Sequence, residues 1–539
     1  MCGIWALLSQ VDITQLGKLF ESFMKIKHRG PEYTRFDVIN SKTILGFHRL
    51  AIMDLTPEGN QPFQYVRDDG SCVYCVCNGE IYDYKKLKQE YNIQTKSNSD
   101  CAIIIPLYEK VGIDKMIRLL GSEFAFIIYD ISKNGVVKMF AGRDPIGVRP
   151  LFWGLNDESI CLSSELKGLN DIYDKCYVFP PGQYMSYIYG KMEFVEYYKY
   201  EYKEIVVNDI EEVYSQIREK FINAVRLRTM ADRPFGALLS GGVDSSLICG
   251  ILKYLMPDKT FPVFTISFKS GSLDLPYAKQ VAEYLNLKHH IIEIDEEIAL
   301  SAIPETIRTI GSFDITSVRA STMQYLACQY IQKHTNIRVL FVGELSDECH
   351  ASYWYFHSAP SAHQAKEEAI RLVKDVHRFD GLRTCRTSSN FGIEVRLPYA
   401  EYSYLDYFLS LPAELIAPIN GIEKYTIRKA FEPMKLIPDK ILYRHKTALS
   451  DGTTLKERSW YQIIQEHVDK IISDEEFEHN KNKFKHCPPF TKESYYYRKI
   501  FNEYYGNSEE VARTIPYFWM PKWVQTNDPS ARTISTLKE

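Results

Sequence analysis

Between residues 235 and 246 the chain reads Phe-Gly-Ala-Leu-Leu-Ser-Gly-Gly-Val-Asp-Ser-Ser, and few folds can hold that string. The apolar start predicts a buried strand over 235–239, two adjacent glycines turn the backbone, and 245–255 resumes as an apolar helix. Such a junction points backbone N–H groups and the positive end of a helix into one concavity, which is an anion site. The flanks repeat the alternation, with strands over 263–268, 289–294 and 339–342 and a helix over 275–285. Ahead of them Ile210, Val213, Ile217, Phe221 and Ala224 recur at helical spacing behind Asp209, an N-cap. Strands alternating with helices imply a parallel α/β sheet.

The glycine loop has no lysine of the Walker type and no dinucleotide-fingerprint spacing. It suits pyrophosphate instead: the hydroxyls of Ser240, Ser245 and Ser246 and the N–H groups around Gly241 and Gly242 can hold it. Asp244 can take a Mg²⁺ that neutralises it. A ligand-free helix cap is the plainer reading of a single Gly-Gly pair, but not of this six-residue pattern after a strand. A second loop, Gly343-Glu344-Leu345-Ser346-Asp347-Glu348, follows a later strand and should open on the same crevice, because open α/β sheets bind ligands beyond the strands' carboxyl ends. Asp347 is the second candidate for the metal, and Glu344 a carboxylate near the reacting centre.

The first 200 residues read differently, as short β runs with few helices, over 43–47, 72–77, 124–129, 136–141 and 159–163. Asp68-Asp69-Gly70 and Asn134-Gly135 supply turns. Cys2 gains chemistry if Met1 is trimmed, for one residue then carries both a thiol and an α-amine of pKa about 7.7–8.0. Asn78 and Gly79 offer the two donor types of an oxyanion hole. Arg49 can grip a carboxylate and Asp100 an ammonium, and a substrate bearing both groups is an amino acid. Arg143-Asp144 and Ser164-Glu165 read as structural pairs. Cys72, Cys75 and Cys77 read as a buried strand, because no second ligand pair follows at zinc spacing.

At 539 residues the chain should hold two or three domains, and a net charge of −4 with no basic cluster argues against a nucleic-acid partner. No apolar run approaches the roughly 20 residues of a membrane span, and no secretory signal opens the chain. Of the twelve cysteines, those other than Cys72, Cys75 and Cys77 are scattered, which fits reduced thiols and a cytoplasmic setting. A polar linker over 197–204 separates the halves, the chain turns mainly helical after about 400, and it should be disordered from about 525.

Taken together, MCGI, HRGP (28–31), HRL (48–50), NGEIY (78–82) and GVRPL (147–151) resemble a class II glutamine amidotransferase domain. SGGVDSS, the 314–321 run, GELSDE (343–348), IEK (422–424), Lys446, SDG (450–452) and the 517–532 ending resemble the asparagine synthetase domain, closest to the eukaryotic glutamine-hydrolysing type. The resemblance covers the chain in the family's order. It implies an N-terminal-nucleophile αββα sandwich over 1–200 and an ATP-pyrophosphatase-like α/β domain with a helical C-terminal part over 201–539. It also implies conversion of L-aspartate, ATP and L-glutamine to L-asparagine through β-aspartyl-AMP, with Mg²⁺, an internal ammonia passage and a homodimer.

Residue by residue, the resemblance makes Cys2 the nucleophile, Asn78 and Gly79 the oxyanion donors, and Arg49, Ile52, Asn78, Glu80 and Asp100 the glutamine contacts. ATP would meet Leu238, Ser240, Gly241, Gly242, Asp244, Ser245, Ile266, Val342 and Gly343. Thr316 and Arg319 would handle aspartate, Glu344 and Lys446 serve the synthetase chemistry, and Asp244 and Asp347 hold the metal. Val342 and Leu345 replace a hydroxyl residue and a glycine of the usual pattern, and Tyr399 and Leu449 replace phenylalanines. Val342 and Leu345 motivate one alternative, a synthetase-impaired homologue acting mainly as a glutaminase; the other alternative is a related amide ligase acting on another carboxylate.

Overall fold

In the computed structural model, which describes residues 1–445 and 448–530, alternation along the strands builds the first half. Gly3–Ser9 lies antiparallel between Thr43–Arg49 and Ser159–Ser163, and Cys72–Glu80 lies beside Glu123–Ile131. Each pair belongs to its own six-stranded sheet. Ile4, Ala6 and Leu8 point inward to meet Val76, Ala125 and Ile127 of the facing sheet. Their neighbours Trp5 and Leu7 point outward onto Leu19 and Phe23 of the helix Leu16–Met24. On the other outer face Phe124, Phe126 and Ile128 pack with Ile104, Leu107 and Ile117 of the helix Ile104–Leu119. The result is four layers, helix–sheet–sheet–helix, and the strands are apolar on both faces because both faces are covered.

Helices are few here, as expected: Leu16–Met24, Tyr84–Glu90 and Ile104–Leu119. Leu16–Met24 is short, and Gly112 (φ 74°) breaks Ile104–Leu119, which blurs its periodicity. The strand Cys72–Glu80 also runs three residues further than expected, so Asn78-Gly79-Glu80 lies within the sheet.

The second half is built on a five-stranded parallel sheet in the order Lys288–Ile294, Pro262–Phe268, Phe235–Leu238, Val339–Phe341, Glu394–Arg396. Asp209 caps the helix Ile210–Leu227 by accepting from Glu211 N–H at 2.9 Å. The helix after the glycine loop starts at Val243. Glu394–Arg396 was not anticipated: three residues carry too little pattern to announce a strand.

The stretch expected as a linker is tied at both ends. Tyr197 Oη donates to Arg143 O at 2.7 Å, and Ile205 N–H to Ser410 O at 2.8 Å. The expected disorder from about 525 does not hold over 525–530, where Asp528 lies 2.7 Å from Arg319 and Ser530 Oγ bonds Asp451 at 3.2 Å. Residues 531–539 lie outside the described residues. Among the described residues no helix is long and apolar enough to cross a membrane.

Candidate active sites

The pairing of Gly3–Ser9 with Thr43–Arg49 sets Cys2 beside the loop that follows the second strand, with its Sγ 3.6 Å from Leu50 O. The thiol is half-buried; desolvation pushes its pKa up to about 11, while the neighbouring α-ammonium pulls the other way. That α-ammonium belongs here to Met1, which is itself buried and lies 3.0 Å from Glu394. Burial alone would raise the Glu394 carboxyl, but the α-ammonium, Arg396 and Arg149 outweigh it and hold the group down near 2.

Asn78 is fully buried, yet neither its amide oxygen nor its nitrogen has a protein partner. An unmet buried polar group costs about 1–3 kcal/mol, so the site is built around something that completes it. Next to it, a Cβ on Gly79 would meet Glu123 O at 2.6 Å, so only glycine permits this close strand pairing.

Glu80 and Asp100 are both buried, and desolvation raises both carboxyls. Arg396 Nη2 lies 3.3 Å from Glu80, and Asp100 accepts Ile81 N–H at 2.6 Å. Glu394 acts electrostatically on Cys2, Glu80 and Asp100 alike. The edge strand Glu394–Arg396 of the second half therefore walls the candidate site of the first.

Two expected glutamine contacts are otherwise engaged. Arg49 donates to Thr56 O and Asn60 Oδ1, both at 2.7 Å, and also to Asp54 O, because the loop after Ile52 folds back over its guanidinium. Ile52 O accepts Asp232 N–H from the second half at 3.0 Å. Arg143 and Asp144 behave as structural groups: Arg143 holds three backbone carbonyls, and Asp144 accepts from Val148 and Arg149 N–H.

At the carboxyl ends of the parallel strands lies a cavity of about 210 Å³. Leu238, Ser240, Asp244, Ser245, Gly343 and Glu344 line it, as do Thr316, Arg319 and Asp347. All nine were expected there. Gly241 shapes the loop from behind, at φ +72° with Ala278 N only 2.4 Å from where a Cβ would sit. Gly242 caps the helix. Ile266, in the strand Pro262–Phe268, and Val342, just past the strand Val339–Phe341, are buried but do not line the cavity, and Lys446 lies outside the described residues.

Asp244 and Asp347 converge on one point, held by an amine. Lys424 Nζ lies 2.6 and 2.7 Å from the two oxygens of Asp244 and 2.6 Å from Asp347. The sequence carried this lysine in IEK without a role for it. Glu344 faces Arg383 at 3.4 Å, and Arg383 in turn is paired with Asp380; both Arg383 and Asp380 line the cavity and had no sequence signal of their own. Arg319 is committed to protein partners, to Glu493 at 2.6 Å and Asp528 at 2.7 Å.

The replacement of a glycine by Leu345 matters because the backbone there is left-handed. Leu345 sits at φ +76°, and Lys424 at φ +60°. A left-handed conformation costs an L-residue about 1–2 kcal/mol. Both strained residues flank the converging carboxylates, and Leu345 is fully buried.

The structure thus sets a thiol beside an unpartnered buried amide in the first half, and a cavity at the carboxyl ends of a parallel sheet in the second. Residues 1–203 match the glutamine amidotransferase domain model, and segments spanning 216–525 match the asparagine synthase model. The chain is 40% identical over 567 aligned positions to the asparagine synthetase [glutamine-hydrolyzing] of Gallus gallus, covering 100% of this chain and 99% of that one. It is 39% identical to the Homo sapiens protein of the same name at the same coverage. The chain belongs to the glutamine-hydrolysing asparagine synthetase family.

Proposed function

We propose that the protein amidates L-aspartate to L-asparagine with ATP, taking the nitrogen from L-glutamine. The observation that carries this reading is Arg396. Its side chain faces Glu80 in the thiol site at 3.3 Å, while its carbonyl accepts Val342 N–H at 3.1 Å, one residue before the cavity loop. A single residue thus touches the machinery of both half-reactions. The full-length likeness to relatives named for this activity supports the same reading over a synthetase-impaired glutaminase or a ligase for another acid.

Once Met1 is removed, the α-amine of Cys2 takes the thiol proton and Sγ attacks the glutamine amide carbon. Asn78, whose amide has no protein partner, and Gly79 donate to the oxyanion. Collapse expels ammonia, and water then releases glutamate from the thioester. Glu80 and Asp100 are the carboxylates for the glutamine ammonium. The Arg49 guanidinium reaches substrate only if the loop over 53–60 yields its carbonyls.

In the cavity the aspartate β-carboxylate attacks the α-phosphorus of ATP, and pyrophosphate leaves toward Ser240, Ser245 and Lys424. Ammonia then displaces AMP from the acyl carbon, and Glu344, in the cavity wall, is placed to take the surplus proton. Mg²⁺ fits the point where Asp244 and Asp347 converge, since Lys424 already places a positive charge within 2.7 Å of both. Carboxylate oxygens suit a hard cation whose remaining ligands are phosphates and water, and Mg²⁺ would there neutralise the leaving pyrophosphate. Thr316 and Arg319 stand at the cavity for aspartate, with Arg319 oriented by Glu493 and Asp528. We place this chemistry in the cytoplasm, in a homodimer with no nucleic-acid or membrane partner.

Incubation with glutamine, ATP, Mg²⁺ and aspartate should yield glutamate, pyrophosphate and asparagine together. Glutamate without pyrophosphate would exclude the proposal. Pyrophosphate formed only with a different acid would move the substrate assignment. Cys2→Ala should abolish glutamine use and keep ammonia-dependent asparagine formation.

A further inference from the structure

We infer that His350 is a positioning residue that aims the Asp244 carboxylate at the cation seat; this rests on the reading that Asp244 helps hold the divalent cation. His350 is fully buried, and its ring nitrogens make a directional chain. Nδ1 lies 2.8 Å from the Ser346 carbonyl oxygen and 3.0 Å from Ser346 Oγ, while Nε2 lies 2.6 Å from Tyr404 Oη. A carbonyl oxygen only accepts, so Nδ1 carries the proton. Nε2 is therefore bare and accepts from the Tyr404 hydroxyl.

The polarity continues to Asp244. The one Nδ1 proton is shared between the Ser346 carbonyl, at 2.8 Å, and Ser346 Oγ, at 3.0 Å, so Oγ accepts from the ring and directs its own proton to Asp244 Oδ1, 2.6 Å away. Hydroxyl, imidazole, serine and carboxylate thus run head to tail from Tyr404 to Asp244. Burial, helped by the Lys424 charge, holds the imidazole pKa near 3, so the ring stays neutral and keeps this tautomer at working pH. Phe408 packs edge-on against the ring, centroid to centroid 4.4 Å.

Asp244 needs that aim. Its Oδ1 is shared between Ser346 and Lys424, both at 2.6 Å, and its Oδ2 faces Lys424 at 2.7 Å. With a divalent cation seated in place of the ammonium, the Ser346 hydrogen bond would be the side-chain contact that fixes the carboxylate's rotation. Hydrogen-bond partners that orient a metal-binding carboxylate govern metal affinity by about 10–100-fold.

The test is Mn²⁺ binding to the full-length protein with ATP, read by the loss of the free Mn²⁺ paramagnetic resonance signal. His350→Phe keeps the ring's bulk and loses both hydrogen bonds; it should weaken Mn²⁺ about tenfold or more. His350→Asn restores a donor near Nδ1 and should bind within about threefold of the native chain. Ser346→Ala breaks the same chain with a smaller change and should match His350→Phe, with the double variant no weaker than either single one. Native Mn²⁺ affinity in folded His350→Phe or in Ser346→Ala, or additive losses in the double variant, would overturn the inference. Asp244→Asn separates the two layers. If it leaves Mn²⁺ binding intact, the cation reading itself fails; if it weakens binding while Ser346→Ala does not, only the role of His350 fails.

Discussion

Leu345 offers a quantitative test of the loop geometry, because two of its properties pull in opposite directions. Its side chain is fully buried and its backbone is left-handed at φ +76°. Truncating a buried leucine costs about 2–5 kcal/mol, and this loss is common to Leu345→Ala and Leu345→Gly. The backbone term is not common. Alanine keeps the left-handed penalty of about 1–2 kcal/mol, whereas glycine sheds it and gives back about 0.5–1 kcal/mol through its looser unfolded chain. Leu345→Gly should therefore be more stable than Leu345→Ala by about 0.5–1 kcal/mol, the reverse of the usual order in regular structure. Urea unfolding measures the difference, read on the transition that Mg²⁺ and ATP shift, which marks the second half of the chain. An alanine variant as stable as the glycine variant, or more so, would refute the claim that the loop is strained at this residue.

Three further outcomes follow. Asn78→Ala should lower glutamine turnover by about 10²–10³ while leaving stability unchanged or improved, since the lost amide has no protein partner in the ligand-free chain; steady-state glutaminase rates and urea midpoints check the two halves. Burial lowers the His48 pKa to about 4 despite its bond to Phe23 O, so the folded ring is neutral where the unfolded one, of pKa near 6.5, binds a proton. Its contribution to stability is thus present above pH 6.5 and is lost on acidification, at about 1.4 kcal/mol per unit until about pH 4. His48→Gln should flatten that slope in urea midpoints measured from pH 7 to 5. Finally, Met1 is 1% exposed with its α-amine on Glu394. An aminopeptidase should therefore release no methionine from folded, Met1-retaining protein, yet release it readily after denaturation, as followed by mass spectrometry.

Much of the chemistry was readable from neighbours in sequence. The string around SGGVDSS places its donors within a dozen residues, so strand, turn and helix follow from local sterics; Leu238, Ser240, Asp244 and Ser245 line the cavity, whereas Gly241, Gly242 and the buried Ser246 do not. The alternation of strand and helix over 235–342 also follows from short-range periodicity. Cys2, Asn78 and Asp100 declared themselves because each sits in a short motif with an evident chemical need.

Other decisions belong to contacts between residues far apart in the chain. Arg49 and Arg319 looked like free cationic clamps, but loop carbonyls occupy one, and Glu493 and Asp528 occupy the other. Lys424 reaches Asp244 across 180 positions, and Arg396 reaches Glu80 across more than 300. Periodicity and motif spacing carry no information about such pairs, because they are set by which strand lies at the sheet edge and how the two halves dock. The residue sequence thus dictated two reactive stretches and the folds that present them. Packing chose which charges remain available to a substrate and which single strand joins the two sites, since burying a charge is tolerable only where the fold delivers its partner.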